Sequence, residues 1–174
     1  AVDYQLQWLP RGQSNSEPTT SAIFTLGAGK SVRYANVLAE VFDLEPDSFG
    51  ALSLLSTSDD LLAMARIANT PQEVGAGSFG QAIPALSIDE FTGMHERRRL
   101  LFGTEHADMR YNVGCMNAAT TPARVNFELF RSDGTLLGTE SLLLMPFDNN
   151  QLNRIFDDYH PVTGAVDFWS AASS

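Results

Sequence analysis

The chain contains VDYQLQWLP at residues 2–10, and this stretch decides the fold. Its apolar side chains occupy every second position, with polar side chains between them: Val2, Tyr4, Leu6 and Trp8. A period of two is typical of a β-strand with one buried and one solvated face. The alternation therefore predicts a strand whose Trp8 lies in the core.

The same pattern returns in the last third of the chain. Residues 4–9 align with residues 125–130, and each segment leads into a glycine, Gly12 or Gly134. Three further pairs of segments match in the same order: 24–29 with 142–147, 37–42 with 155–159, and 50–56 with 164–170. A repeat of this kind predicts two copies of one architectural unit.

Short strands separated by turn residues at this spacing indicate antiparallel sandwiches. We expect an all-β protein of two related antiparallel β-sandwich units of the immunoglobulin-like kind, with one short helix each. The expected boundaries are 1–69 for the first unit, 70–98 for a connector and 99–174 for the second unit. Segments 50–56 and 61–68 are expected to form a hairpin. The connector, rich in glycine and proline, is expected to contain little regular structure.

The two units are unequal at their outer ends. The second begins with a predicted strand, residues 109–117, that has no counterpart before Ala1. The first ends with a predicted strand, residues 61–68, that has no counterpart after Ser174. Three explanations stand side by side. The chain is a fragment or processed form of a longer one, strands from neighbouring molecules complete the sheets, or the two halves complete each other in one pseudo-symmetric sandwich.

Charge and composition exclude several classes of partner. The 174 residues carry a formal net charge of -10, and the sequence pI is about 4.5, so nucleic acid and anionic lipid surfaces would be repelled. The one cysteine, Cys115, cannot form an internal disulfide and is expected to be a small buried apolar residue. No stretch reaches the roughly 20 apolar residues that cross a bilayer, so we expect no membrane insertion.

Two strings in the chain resemble those of other proteins. They are GSFGQAIPA, residues 77–85, and MRYNVGCMN, residues 109–117. They resemble a G-F-G-Q-x-I-P-A connector and an R-x-N-x-G-x-x-N strand of tandem β-sandwich repeats in poorly characterised secreted or surface bacterial proteins. The resemblance covers almost the whole chain. It implies an extracellular or cell-surface bacterial module whose signal peptide has been removed, and it brings no catalytic residues. The chain departs from the pattern at residues 94–99, where a charged cluster stands.

The residue patterns give little support for catalysis. The three histidines lack the spacing of a zinc site, and the series Asp43, Glu45 and Asp47 lacks the glycine and terminal glutamate of a calcium loop. There is no Gly-x-Ser-x-Gly elbow, and the glycine-rich segment 75–80 lacks the lysine of a phosphate loop. We therefore expect neither an enzyme, nor a metal site, nor a cofactor.

Four residues are candidates for an interaction site: Arg97, Arg98, Arg99 and Trp169. The arginines are the only concentrated positive charge on an acidic chain, which suits an acidic face of a neighbouring copy or an anionic glycan. We favour a solvated turn whose arginines form local ion pairs with residues such as Glu96. Trp169 follows Phe168 on a predicted strand, so the two face opposite sides and one is a candidate for exposure and for sugar stacking.

These observations indicate a non-enzymatic extracellular structural or interaction module. Unpaired sheet edges favour self-assembly by β-strand complementation between subunits. The expected partners are then copies of the chain itself or neighbouring domains of a longer chain. The alternative is a carbohydrate-binding accessory module of a secreted protein, whose ligand is a glycan.

Overall fold

The structure is a computed structural model that describes residues 1–68, 80–106, 109–159 and 161–172. The described chain is mostly β, and its sheets are antiparallel, as the alternation predicts. Residues 69–79, which include most of the first half of the expected connector and positions 77–79 of the connector string, lie outside the described residues.

The described residues form twelve strands and one α-helix. The strands are β1 (Val2–Pro10), β2 (Thr19–Thr20), β3 (Phe24–Leu26), β4 (Gly50–Ser56), β5 (Met64–Ala68), β6 (Gly80–Pro84), β7 (Arg98–Glu105), β8 (Val113–Met116), β9 (Ala123–Arg131), β10 (Leu136–Leu144), β11 (Asn149–Leu152) and β12 (Val162–Ala172). Helix α1 covers Val37–Phe42, and 3₁₀ turns cover Ile88–Glu90 and Asp157–Tyr159. The second of these turns lies where the second short helix is expected.

The N-terminal sheet is built around β1. Strand β4 pairs with one edge of β1 over the whole length of β4, while β3 and β2 share the other edge. The alternation in β1 buries Tyr4, Leu6 and Trp8, so the prediction of a core Trp8 is confirmed. Because β4 pairs with β1 and not with β5, the predicted hairpin between 50–56 and 61–68 is wrong.

The C-terminal sheet has the strand order β10-β9-β12-β7. Its inner face carries Phe127 and Leu129 of β9 and Val166 of β12, all fully buried. Phe156, just before the second 3₁₀ turn, and Val113 of β8 complete the same apolar cluster. The two-stranded sheet of β8 and β11 thus contributes to the core of the C-terminal half.

The aligned segments of the repeat pair in the same register in the two sheets. Strand β4 meets β1 with Ser56 opposite Tyr4. Strand β12 meets β9 with Ser170 opposite Val125, which are the residues aligned with that pair. Strands β3 and β10 also meet β1 and β9 with aligned residues opposite each other. Since register fixes which side chains share a face, aligned residues hold equivalent positions in their sheets.

The matched segments 50–56 and 164–170 both begin with a glycine, because a larger residue would clash with the neighbouring strand at either position. A Cβ atom at Gly50 would overlap the carbonyl oxygen of Leu9, and a Cβ atom at Gly164 would overlap that of Phe130. Both glycines therefore allow the backbone of a neighbouring strand to approach closely.

Buried asparagines join the loop after β1 to the C-terminal half. The Asn15 side-chain nitrogen donates a hydrogen bond of 2.9 Å to the carbonyl of Phe147. The Asn149 side-chain nitrogen donates one of 2.8 Å to the carbonyl of Leu9. Because buried carbonyls need partners, these bonds hold the end of β1 and the loop after it against β11 and the turn that precedes β11.

Strands β5 and β6 form a two-stranded ribbon of their own, with Ala65 opposite Ile83. Strand β6 and the turn Ile88–Glu90 lie inside the segment 70–98, so its described part has more regular structure than expected. No other strand of the described residues pairs with either ribbon strand.

Candidate functional site

The outer face of the C-terminal sheet brings three of the four predicted interaction residues together. Trp169 stands on β12 opposite Asn126 of β9, and Asp167 stands two residues earlier, opposite Arg99 of β7. Arg97 immediately precedes β7, and its guanidinium carbon lies 4.3 Å from the centre of the Trp169 ring. We call this surface the Trp169 face.

The fourth predicted residue, Arg98, lies apart from Trp169. Its register partner is Phe168, which packs against the core. Arg98 instead forms a 2.6 Å ion pair with Glu96, the kind of local pairing expected for a solvated turn. The Phe168 and Trp169 side chains therefore divide as predicted, with Phe168 inward and Trp169 on the outer face.

Ion pairs fix the arginines of the Trp169 face. The Arg97 Nη1 atom lies 2.7 Å from Oε2 of Glu128 and 3.8 Å from Oδ2 of Asp167. Arg99 donates to both oxygens of Asp167, from Nε to Oδ1 and from Nη2 to Oδ2, the latter at 2.8 Å. A two-point contact of this type sets the orientation of both groups. The ion pairs with Glu128 and Asp167 hold the guanidinium of Arg97 beside the indole ring.

Asp167 is the buried centre of this arrangement, with a side chain only 6% exposed. The hydrogen bonds from Arg99 hold the pKa of the Asp167 carboxyl below its usual range. Burial works in the opposite direction, and the charges of Arg99 and Arg97 add to the lowering. Because both arginines are about half exposed, solvent screens part of this stabilisation.

A shallow depression of about 470 Å³ lies beside Trp169. It is lined by one aromatic and several polar side chains: Asn126, Glu128, Thr139, Glu140, Ser141 and Trp169. Arg124 approaches from the neighbouring strand position, with Nη1 3.4 Å from the hydroxyl of Ser141. The surface therefore combines a stacking group with hydrogen-bond donors and acceptors.

The edge of β4 that faces away from β1 pairs with no strand of the described residues, and it is a second candidate surface. Strand β4 reads GALSLLS and carries neither a charge nor a proline. Its Leu55 is 48% exposed. Natural edge strands are commonly protected by charges, prolines or bulges, and β4 has no such protection.

The β5–β6 ribbon is the third candidate surface. Every described side chain of the ribbon is exposed, and several are large and apolar. Met64 is 74% exposed, Ile67 is 64% exposed, and Leu62, just before the ribbon, is 95% exposed. A two-stranded ribbon without a packing partner is marginally stable in water. Exposed apolar patches are typical of interaction surfaces, which makes the ribbon a candidate.

Sequence reasoning missed the polar lining of the Trp169 depression. Asn126 and Glu128 alternate with the buried side chains of β9, and both are half-buried on its other face. Only the pairing of β9 with β12 and β10 places them beside Trp169 and Ser141. The signal that could have found them is a polar residue on the outer face of one strand that stands opposite an aromatic residue of the neighbouring strand.

The remaining candidates for chemistry lie away from these surfaces. Burial raises the pKa of the Cys115 thiol to about 11, which keeps it protonated and unreactive at neutral pH. Over the described ranges, no three His, Cys, Asp or Glu side chains lie close enough to hold a metal ion. Asp108 and His160 lie outside those ranges. None of the described helices has the length and apolar character needed to span a bilayer.

No family model, curated protein or solved structure matches the chain.

Proposed function

We propose that the protein is a non-enzymatic structural or interaction module outside the cell that associates with copies of itself by β-strand complementation. Neighbouring domains of a longer chain are partners of the same kind. The observation that carries the proposal is the second edge of β4, which has no partner within the described ranges, whereas the equivalent edge in the C-terminal sheet has one.

The comparison of aligned strands supports this assignment. In the C-terminal sheet, β12 pairs with β9 on one edge and with β7 on the other. Strand β4 is aligned with β12, and its second edge has no strand in the described part of the chain. A further strand added to β4 would therefore occupy the position that β7 occupies beside β12. Backbone hydrogen bonds along the edge would supply the affinity.

The β5–β6 ribbon of a second copy is the strand donor that we propose. In the ribbon and its approach, Leu62, Met64 and Ile67 expose apolar surface that association would bury. The two ribbon strands carry one charge, Arg66, in a chain of formal net charge -10. Two copies can thus approach through the ribbon and β4 without bringing carboxylates together.

We assign each four-stranded sheet to one β-sandwich unit of the immunoglobulin-like kind. The shared register of the aligned strands supports two related units. In the C-terminal half, β8 and β11 contribute to the same core as the inner face of the sheet, which supports a second layer there. The acidic composition and the resemblance to secreted or surface bacterial repeats support an extracellular place of action.

The solution mass tests this function. Light scattering after size exclusion, over a wide range of concentrations, is expected to give a multiple of the 19.0 kDa chain mass at high concentration. Leu55→Lys places a charge on the β4 edge and is expected to return the protein to a monomer. The matched control is Leu101→Lys on β7, another exposed leucine on an edge strand, which is expected to leave the mass unchanged.

Two results would contradict the proposal. A monomer at every concentration would mean that the sheets are complete within one molecule and take no strand from a second copy. Equal loss of association in Leu55→Lys and Leu101→Lys would mean that β4 has no special role. Circular dichroism of both variants establishes that neither lysine unfolds the chain.

A further inference from the structure

We propose that the depression beside Trp169 binds an uncharged oligosaccharide. This function is separate from self-association, because the Trp169 face shares no residue with the β4 edge or the β5–β6 ribbon. Four properties of the surface support the assignment: an aromatic side chain that the fold does not require, unpartnered polar side chains, balanced charge, and a suitable size.

The fold does not require a tryptophan at position 169. The neighbouring Phe168 already supplies the inward, core-facing side chain of this part of β12. At the position aligned with Trp169, the N-terminal sheet has Leu55, although the strands pair in the same register. The partly exposed indole lies on the outer face against the Arg97 guanidinium and is not part of the core cluster. Stacking against the apolar face of a sugar ring is a role that suits this side chain.

Polar side chains around the indole are available to a ligand. No hydrogen bond joins the side chain of Asn126 or Thr139 to any other group in the described part of the chain. Ser141 receives only the long contact of 3.4 Å from Arg124. An amide and two hydroxyls offer both donors and acceptors, which sugar hydroxyl groups need in alternation.

The charges around the depression favour a neutral ligand. Arg97, Arg99 and Arg124 stand against an equal number of carboxylates: Glu128, Glu140 and Asp167. The Arg97 guanidinium is engaged by Glu128 and the Arg99 guanidinium by Asp167. An anionic glycan would have to displace these carboxylates and would meet a chain of formal net charge -10. This balance argues against an anionic glycan, although the arginine run by itself suggests one.

The size of the depression also agrees with an oligosaccharide. A volume of about 470 Å³ at an open surface leaves room for a ligand that contacts the sheet along one side. The depression is shallow and its lining residues lie on β9, β10 and β12, so a ligand there would lie across the outer face of the sheet. The Arg97 guanidinium forms an ion pair with Glu128 and lies 4.3 Å from the centre of the indole ring, so it helps to fix the position of that ring.

Isothermal titration calorimetry with defined hexasaccharides tests this site. The neutral probes are cellohexaose, xylohexaose, mannohexaose and chitohexaose, and the anionic probe is hexagalacturonate. At least one neutral probe is expected to bind saturably, with a dissociation constant below about 10 mM, and hexagalacturonate is not. Trp169→Ala is expected to weaken binding by about tenfold or more, and Trp169→Phe by less, since Phe keeps an aromatic face.

The control variant is Leu136→Ala, which removes an exposed side chain of β10 outside the depression. It is expected to bind as the wild type does. Tryptophan fluorescence gives a second readout, because Trp8 is buried and Trp169 is the other tryptophan of the chain. Binding by hexagalacturonate alone, unchanged affinity in Trp169→Ala, or no response to any neutral probe would each overturn the proposal.

Discussion

The N-terminal and C-terminal sheets pair their aligned strands in the same register, yet they differ in what covers them. On the C-terminal sheet, β7 pairs with the second edge of β12, and an apolar cluster around Phe127 fills the inner face. On the N-terminal sheet, the second edge of β4 has no partner among the described residues. Four apolar side chains of β1 are buried there: Tyr4, Leu6, Trp8 and Leu9.

This difference shows that the repeat specifies less than a complete unit. The aligned segments define a central strand with a partner on each side. Other strands of the C-terminal half lie outside the aligned segments. Strand β7 pairs with the outer edge of β12, and β8 and β11 form a separate two-stranded sheet. The N-terminal half keeps the arrangement of the repeat, but none of its described strands is equivalent to β7, and this is the basis for proposing a strand donor.

The largest predicted effect is on stability and contrasts the two inner faces. Phe127→Ala is expected to lower the free energy of unfolding by about 3–5 kcal/mol, because it leaves a cavity in the packed cluster. Leu52→Ala, at a half-buried position of β4 opposite Trp8, is expected to lower it by about 1–2 kcal/mol. Urea denaturation of both variants measures the difference. Equal losses would mean that the N-terminal sheet is packed as tightly as the C-terminal one.

A smaller effect is expected at the two aligned glycines. Gly164→Ala and Gly50→Ala each force a Cβ atom onto a neighbouring backbone carbonyl and should lower the free energy of unfolding by about 1–3 kcal/mol. The change at Gly164 should be the larger, because β12 is held by a strand on both edges and cannot move away.

The control for the glycine variants is Gly114→Ala. Its added Cβ atom would lie 3.7 Å from the nearest atom, an ordinary contact, so the expected change is within about 0.5 kcal/mol. Thermal and urea unfolding of the three variants compare the effects. If the Gly164 and Gly50 variants unfold like the Gly114 variant, the proposed equivalence of the two close approaches is wrong.

The smallest predicted effect concerns acid stability of the outer face. The folded pKa of Asp167 is lowered, chiefly by the hydrogen bonds from Arg99. The stabilisation from this carboxylate is therefore complete above its unfolded pKa and is lost as the pH falls through the lower, folded value. Its N-terminal counterpart is Ser53, which does not titrate.

Asp167→Asn tests this contribution. The variant is expected to be less stable than the wild type at neutral pH, and the gap between them should close below about pH 4. The free energy of unfolding, measured for both proteins from neutral to acidic pH, gives the two curves. Parallel curves across the whole range would show that Asp167 has the same pKa in the folded and unfolded chains.

The sequence predicted the features that depend on local pattern. The alternation from Val2 to Trp8 placed β1 and its buried face correctly, and the repeat identified segments that hold equivalent sheet positions. It did not predict which strands pair across long distances. Segment 61–68 looks equally suited to pair with β4 or with β6, since register and partner depend on packing that no single segment encodes.

The same limit applies to the candidate site. The charge run drew attention to Arg97, and the succession of Phe168 and Trp169 predicted an outward aromatic. The contact between Arg97 and Trp169 depends on β7 lying beside β12, and the polar depression depends on β9 and β10 lying beyond it. Strand order in the sheet, rather than any motif, assembled this surface.

The most direct test of the account is amide hydrogen exchange in β4 as a function of protein concentration. We predict that the backbone amides of β4 that do not bond to β1 become protected as concentration rises, while the amides of β9 are protected throughout. In Leu55→Lys, β4 protection is expected to stay at its low-concentration value. Exchange in β4 at one rate at every concentration would show that no strand is added at this edge, which would contradict the account.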